Sequence, residues 1–343
     1  MDYNQSNGNY RMNYGAGIGH LNPTTSPYLF RNLLRNLDSR ANVLLYIDPE
    51  RFEAERDSSM HLARGLAKDP YFNVGITTSP DAELARYADI VIPRFDPPIK
   101  PGFLEELEFY DDATRLFINP PQTQRYFSNK KYLEDIAREH PELFPRTKIS
   151  SDPKELGAFL YELSKNSKYA VYKPLEGFGG DGIGRINLQG EDLKREEDYI
   201  HLAYGLSQGK EIILQEFIDN IAQYGDKRIH ILNQHPIGAV LRIPKKGSWL
   251  CNQKKGASLE LSELTDKDYE LIEKVNPYLQ KQNAYWTGID VIGPYLGEIN
   301  AVSPGLLYAL DEFNDWKIMP SFVEKIKQEA QGYADVPREV LVA

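Results

Sequence analysis

Residues 169–188 read YAVYKPLEGFGGDGIGRINL, and the fold follows from how this stretch is divided. YAVYKPL has the β-branched and aromatic make-up of a strand, four glycines then fall at Gly177, Gly179, Gly180 and Gly182, and IGRINL alternates again like a strand. The string satisfies G-x-G-x-x-G, but a dinucleotide fold needs that loop to open a helix facing the pyrophosphate, and the alternation from Ile183 predicts none. A Walker A reading fails too, because neither Lys-Ser nor Lys-Thr follows the glycines. The loop therefore closes a hairpin whose backbone N–H groups can fold over phosphates, with Lys173 on the preceding strand as a point charge for them. Its competitor is a plain glycine-rich turn beside a surface lysine.

A second pair of strands lies downstream, in WTGIDVIG and YLGEINAV. Glu298 and Asn300 are two apart and leave the same face of their strand, and Asp290 interrupts an apolar run on the strand before. A three-residue loop, Gly293 to Tyr295, would set Asp290 opposite Glu298, whereas a two-residue loop would separate them. Acids inside apolar strands are costly to bury unless paired or metal-bound, and three hard oxygen donors beside phosphate-binding groups suit Mg²⁺, with Mn²⁺ as an alternative. Solvated acids on an edge strand are the other reading.

Upstream, NVLLYID, NVGITT, DIVIPRF and RLFIN read as strands, alternating with helices opened by Asp57-Ser58-Ser59 and Ser79-Pro80. That beat predicts an α/β, mostly parallel, doubly wound sheet. A helix around Asn129 to Glu139 leads into a smaller strand-rich unit, and EIILQEF at Glu211–Phe217 starts a third. There RIHIL and IGAVLRI flank Asn233-Gln234 as a hairpin. Lys245 to Ser258 carries too little apolar material to pack and reads as a mobile lid, and a helix from Asp266 to about Gln282 follows. The first 40 residues, rich in Tyr, Asn and Gly, read as a flexible tail. With 40 basic and 50 acidic residues the chain has a formal charge of -10, which disfavours nucleic acid as a partner. No apolar run reaches the roughly 20 residues that cross a bilayer, so a cytoplasmic protein is expected. The single cysteine, Cys251, forms no internal disulfide and excludes a cysteine-built zinc or iron–sulfur site.

Taken together, NVLLYIDP, Arg94-Phe95-Asp96-Pro97-Pro98, Asn129-Lys130-Lys131, KPLEGFGGDGIGRI, Gly225-Asp226-Lys227-Arg228, Arg242-Ile243-Pro244 and GIDVIG…GEINAVSP, running in order from about residue 42 to 304, resemble bacterial glutathione synthetases of the ATP-grasp superfamily. The resemblance implies an ATP-grasp fold: a tail over 1–40, an N-terminal doubly wound parallel-sheet domain over 41–128 and a small α+β lid domain over 129–215. A C-terminal antiparallel-sheet α+β domain over 216–320 and an extension over 321–343 complete it. It implies that Lys131 and Lys173 bind ATP phosphates beneath the glycine hairpin, that Glu216 and Asp226 lie on the adenine and ribose side, and that Asp290, Glu298 and Asn300 hold Mg²⁺. The reaction implied is γ-phosphoryl transfer to a carboxylate and attack of an amine on the acyl phosphate, gripped by Arg228 and Arg242 with Asn300 beside them, while Asp96 and Ser303 lie toward the ligand cleft. The substrates implied are γ-glutamylcysteine and glycine, handled by a homo-oligomer.

The chain departs from the family at several points. Ser59 to Arg94 is shorter than usual, and Leu250-Cys251 stands where the lid usually carries an arginine and a glycine. Lys254 and Lys255 replace small residues, open to contact with a more anionic substrate or to plain solvation, and Asp181 puts a charge in the hairpin. A ligase for another carboxylate and amine, or a nucleotide-binding protein without turnover, are the alternatives.

Overall fold

The computed structural model describes residues 18–21, 41–52, 54, 56–96, 99–112, 115–177 and 179–334. The chain divides into two units, Met1–Gln124 with Val302–Ala343, and Arg125–Ala301. The first is built on a parallel sheet of β1 (Ile18–Leu21), β2 (Ala41–Ile47), β3 (Phe72–Thr77), β4 (Ile90–Arg94) and β5 (Leu116–Phe117), in the order β1-β3-β2-β4-β5. Val43 to Ile47 are all buried, the unbroken apolar run expected of a parallel strand covered on both faces. Asp57 accepts the N–H groups of Ser59 and Met60 at 2.8 and 3.1 Å and so caps the helix Ser58–Lys68. The stretch after Ser79-Pro80 is a single 3₁₀ run, Ala82–Tyr87, capped by Asp81.

Two expectations change here. Residues 18–21 are a strand paired with β3, so the first 40 residues are not tail throughout; residues 1–17 and 22–40 lie outside the described ones. At the other end, the helix Ile318–Ala334 is part of the first unit, where 321–343 was expected to be an extension. It buries Met319, Phe322, Val323, Ile326 and Ala330, a helical stripe, and packs on Ser58–Lys68, where Gly65 leaves room for the Met319 thioether.

In the second unit one antiparallel sheet is formed by β6 (Thr147–Ser150), β7 (Tyr169–Pro174), β8 (Gly184–Asn187) and β9 (Ile212–Glu216), ordered β6-β9-β7-β8. The strand expected to start a third unit, β9, thus lies inside the second. Its Leu214 joins Leu156, Leu160, Ala170 and Tyr199 on one face, and its Ile213 joins the core of the other sheet, so it is buried on both sides. That other sheet is antiparallel throughout: β10 (Asp226–Leu232), β11 (His235–Ile243), β12 (Ser258–Ser262), β13 (Trp286–Ile292) and β14 (Tyr295–Asn300), ordered β12-β11-β10-β13-β14. Asn233 and Gln234, both with positive φ (45° and 67°), make the expected two-residue hairpin between β10 and β11. The helix Asp266–Lys281 covers this sheet through Leu271, Ile272, Val275 and Leu279.

The helices Pro153–Ser164 and Glu196–Ser207 meet at Gly157, where a Cβ would lie 2.5 Å from the Ile200 Cα. Backbone cannot give way as a side-chain end can. Gly157→Ala is therefore expected to cost about 1–3 kcal/mol, read as a lowered urea midpoint; an unchanged midpoint would mean that the two helices have slack.

Candidate active site

A cavity in the second unit opens between its two sheets and gathers most of the residues singled out in the sequence. Lys173 lies on its wall and donates from Nζ to Gln215 Oε1 at 2.8 Å, while Gln215 Nε2 donates to Thr147 Oγ1 at 2.9 Å, so a polar chain crosses β7, β9 and β6. Burial pushes the pKa of the Lys173 ammonium down, against the pull of Glu298. Gln215 escaped the sequence reading because a polar residue in a buried strand has no local signature.

Lys131 was expected beside the glycine hairpin; in the structure it is Lys130 that lines the cavity there. Lys130 Nζ donates to the Gly177 carbonyl at 2.9 Å and lies 3.4 Å from Glu298, with only 9% of its side chain exposed. Lys131 is 53% exposed, is paired with Glu211 at 2.7 Å, and does not line the cavity. Neighbouring residues in a helical turn point about 100° apart, so only one of the two can face inward. The phase is set by the Lys130 N–H bonding the Leu175 carbonyl at 2.9 Å and by Tyr132, whose hydroxyl accepts the Ile299 N–H at 2.7 Å.

Gly177, Gly179, Gly180 and Gly182 all have positive φ (134°, 67°, 83° and 73°), which side chains resist. The first three of these four line the cavity, whereas Gly182 sits against the Pro174 ring. Asp181 also lies on the cavity rim, where it pairs with Lys255 at 3.1 Å.

Asp290 is opposite Glu298, with Asn300 two residues on, as the metal reading requires, but not through the expected loop. The turn has two residues, Gly293 and Pro294, since Ile292 pairs with Tyr295. A bulge between Asp290 and Val291 restores the pairing, and Gly297 fills it where a Cβ would lie 3.3 Å from the Asp290 carbonyl oxygen. Asp290 is far from solvated. Its carboxylate takes a bidentate grip from Arg228 and a contact from Arg242 Nη2 at 2.8 Å, and Arg242 also meets Asp226 at 2.6 Å. Burial raises the Asp290 pKa, yet the two guanidiniums hold it at about 2; for Asp226 burial prevails over Arg242 and pushes it up to about 6. Gly288 makes room for the Arg228 side chain, since a Cβ there would lie 2.6 Å from its Cδ.

The other expected site residues are engaged by protein partners. Arg228 and Arg242 are buried behind Asp290 and do not line the cavity, so as placed they grip a carboxylate where an acyl phosphate was expected. Asp226, expected on the adenine and ribose side, lines the cavity and pairs there with Arg242. Glu216 also lines the cavity, but its carboxylate is taken by Arg146 at 2.9 and 3.0 Å. Among the described residues no three His, Cys, Asp or Glu side chains are grouped to hold a metal alone. The donor chemistry nonetheless fits Mg²⁺: Asp290, Glu298 and Asn300 offer hard oxygens, Glu298 lies 3.4 Å from Lys130 at the cavity wall, and Asp226 Oδ1 close by is a buried oxygen with no hydrogen-bond partner.

The opposite wall is apolar, made by Val171, Ile183, Phe217, Ile221, Trp249 and Ile292. The segment expected to be an unpacked lid contributes to it: Trp249 packs edge-to-face on Phe217, and Cys251 is buried. In the first unit Asp96 and Ser303 come together on Arg51, which bonds the Ser303 hydroxyl at 2.8 Å and pairs with Asp96.

Two outcomes are expected. Asp290→Ala takes the carboxylate from the buried Arg228 guanidinium and leaves Arg242 with Asp226 alone, and should cost about 3–5 kcal/mol in urea, while Glu298→Ala, at a partly exposed site, should leave the fold intact. Burial pushes the Cys251 thiol up to about 12, so a thiol reagent at pH 8 should titrate it only after unfolding.

Residues 134–315 match the model of the prokaryotic glutathione synthetase ATP-grasp domain. Glutathione synthetase of Thermosynechococcus vestitus is 33% identical over 66% of this chain and 68% of its own, and that of Coxiella burnetii is 27% identical over 89% and 92%. Among solved structures, D-cycloserine synthetase DcsG superposes with a TM-score of 0.60 at 15% identity, over 83% of this chain and 99% of that one. D-alanine–D-alanine ligase from Bacillus anthracis gives 0.58 at 13%, over 86% and 99%, and these two likenesses bear on the fold. With the family model covering more than half of it, the chain belongs to the prokaryotic glutathione synthetase family and is an ATP-dependent C–N ligase of the ATP-grasp fold.

Proposed function

We propose that this chain is a glutathione synthetase, joining γ-glutamylcysteine to glycine with conversion of ATP to ADP and phosphate. The observation that carries the reading is one cavity with Lys130, Lys173 and the glycine hairpin above the paired Asp290 and Glu298, in a chain of this family. The nucleotide base takes the apolar wall and the phosphates take the lysine end. Asp290, Glu298 and Asn300 would hold Mg²⁺, which neutralises charge on the phosphate oxygens.

The protein's own part is alignment. Lys130 and Lys173 steady the β- and γ-phosphates, and the N–H groups of Gly179 and Gly180 cover them against water. The substrate carboxylate takes the γ-phosphoryl group, the amine then attacks the acyl carbon, and phosphate leaves with the bond to oxygen. We assign Arg228 and Arg242 to holding Asp290 ionised, because gripping an acyl phosphate would require one of them to release that carboxylate. The partners are small molecules, and the formal charge of -10 argues against nucleic acid. No described helix is long and apolar enough to cross a membrane; we place the reaction in the cytoplasm and the chain in a homo-oligomer. A second reading, ligation of another carboxylate and amine, is favoured by Leu250, an apolar residue on the cavity wall.

Phosphate release from Mg-ATP that requires both γ-glutamylcysteine and glycine, with glutathione confirmed by mass, is the expected result. ATP binding without release would turn the search to the second reading. Lys130→Ala should cut turnover by about 100-fold or more and Lys131→Ala should leave it near normal; the reverse order would return the phosphate role to Lys131.

A further inference from the structure

Between β11 and β12 the chain places Trp249, Leu250, Cys251 and Asn252 on the wall of the cavity. Trp249 is fixed there from two sides. Its ring meets Phe217 edge-to-face at 5.6 Å and 79°, and the Arg185 guanidinium lies 5.9 Å from its centroid while stacking on Tyr169 at 4.3 Å and Phe217 at 5.2 Å. Cys251, buried beside Val171, Phe217 and Ile221, anchors the same segment. The segment then continues onto the glycine hairpin: Asn252 occupies the space that a Cβ on Gly180 would need, at 2.3 Å, and Lys255 pairs with Asp181. One stretch of chain therefore touches the apolar wall and holds the phosphate cover.

We propose that Trp249 positions the nucleotide, supplying an aromatic wall for the base on the same stretch of chain that holds the glycine hairpin. The inference rests on the reading of the cavity as the ATP site and adds a base-contacting residue to it. A flat aromatic surface held by Phe217 and Arg185 keeps its orientation before the ligand arrives, which limits the ordering cost of stacking. The competing role, a plain anchor for the segment, makes a different prediction: an anchor would serve a ligand with no base equally well.

The test is equilibrium binding of ADP and of inorganic tripolyphosphate, each with Mg²⁺, to the full chain and to Trp249→Ala and Trp249→Phe. Trp249→Ala should weaken ADP binding about tenfold and leave tripolyphosphate binding unchanged, and Trp249→Phe should recover most of the ADP affinity. Unchanged ADP affinity in Trp249→Ala, or equal losses for both ligands, would overturn the assignment while leaving the ATP site in place. Failure of the unmodified chain to bind ADP at all would overturn the cavity reading and this inference with it.

Discussion

Four charges, the buried Arg228, Arg242 and Asp290 and the partly buried Asp226, tie β10, β11 and β13 into one register. Arg228 stands opposite Asp290, and Asp226 stands opposite Arg242. A slip of one residue along any of these strands would turn its charge to the other face, into Ile229, Ile289 and their neighbours, without a partner. Desolvating a charge costs several kcal/mol even after relaxation, so the misregistered sheet is excluded by far more than the net worth of the ion pairs. The quartet contributes specificity of register more than stability, and the cavity inherits its geometry from it.

Asp290 is the point where that framework reaches the site. It is gripped from behind by both arginines and faces Glu298 across the bulge at Gly297. The carboxylate is thus oriented and held ionised by the protein itself, which is what preorganised electrostatics requires. Glu298, partly exposed and beside Lys130, is held more loosely.

Much of this was legible in the sequence, because a strand's period of two fixes which side chains share a face. It put Glu298 and Asn300 on one face of their strand, whereas the opposition of Asp290 to Glu298 arises from a bulge after Asp290 and not from the three-residue loop expected. What was not legible depends on distant contacts. Lys130 and Lys131 differ only in phase, and the phase is set by Leu175 and Ile299. The partners of Arg228 and Arg242 are decided by cross-strand register, not by neighbours in sequence. Trp249-Leu250-Cys251 shows no period at all, so three apolar residues in a polar segment could not be told from a solvated loop, although they pack against Phe217. β1 is four residues long, and the strand it pairs with among the described residues, β3, lies some 50 residues further along.

The first unit is assembled from two stretches of chain that flank the whole of the second. Its helix Ser58–Lys68 rests on Ile318–Ala334, a partner more than 200 residues further along. On the ribosome the parallel sheet therefore emerges early but cannot finish its core, while Arg125–Ala301 is synthesised entire before that partner helix appears. The unit that holds the cavity can reach its folded form first, and the earlier-made strands must wait with one helix face uncovered, a window in which a chaperone has something to hold.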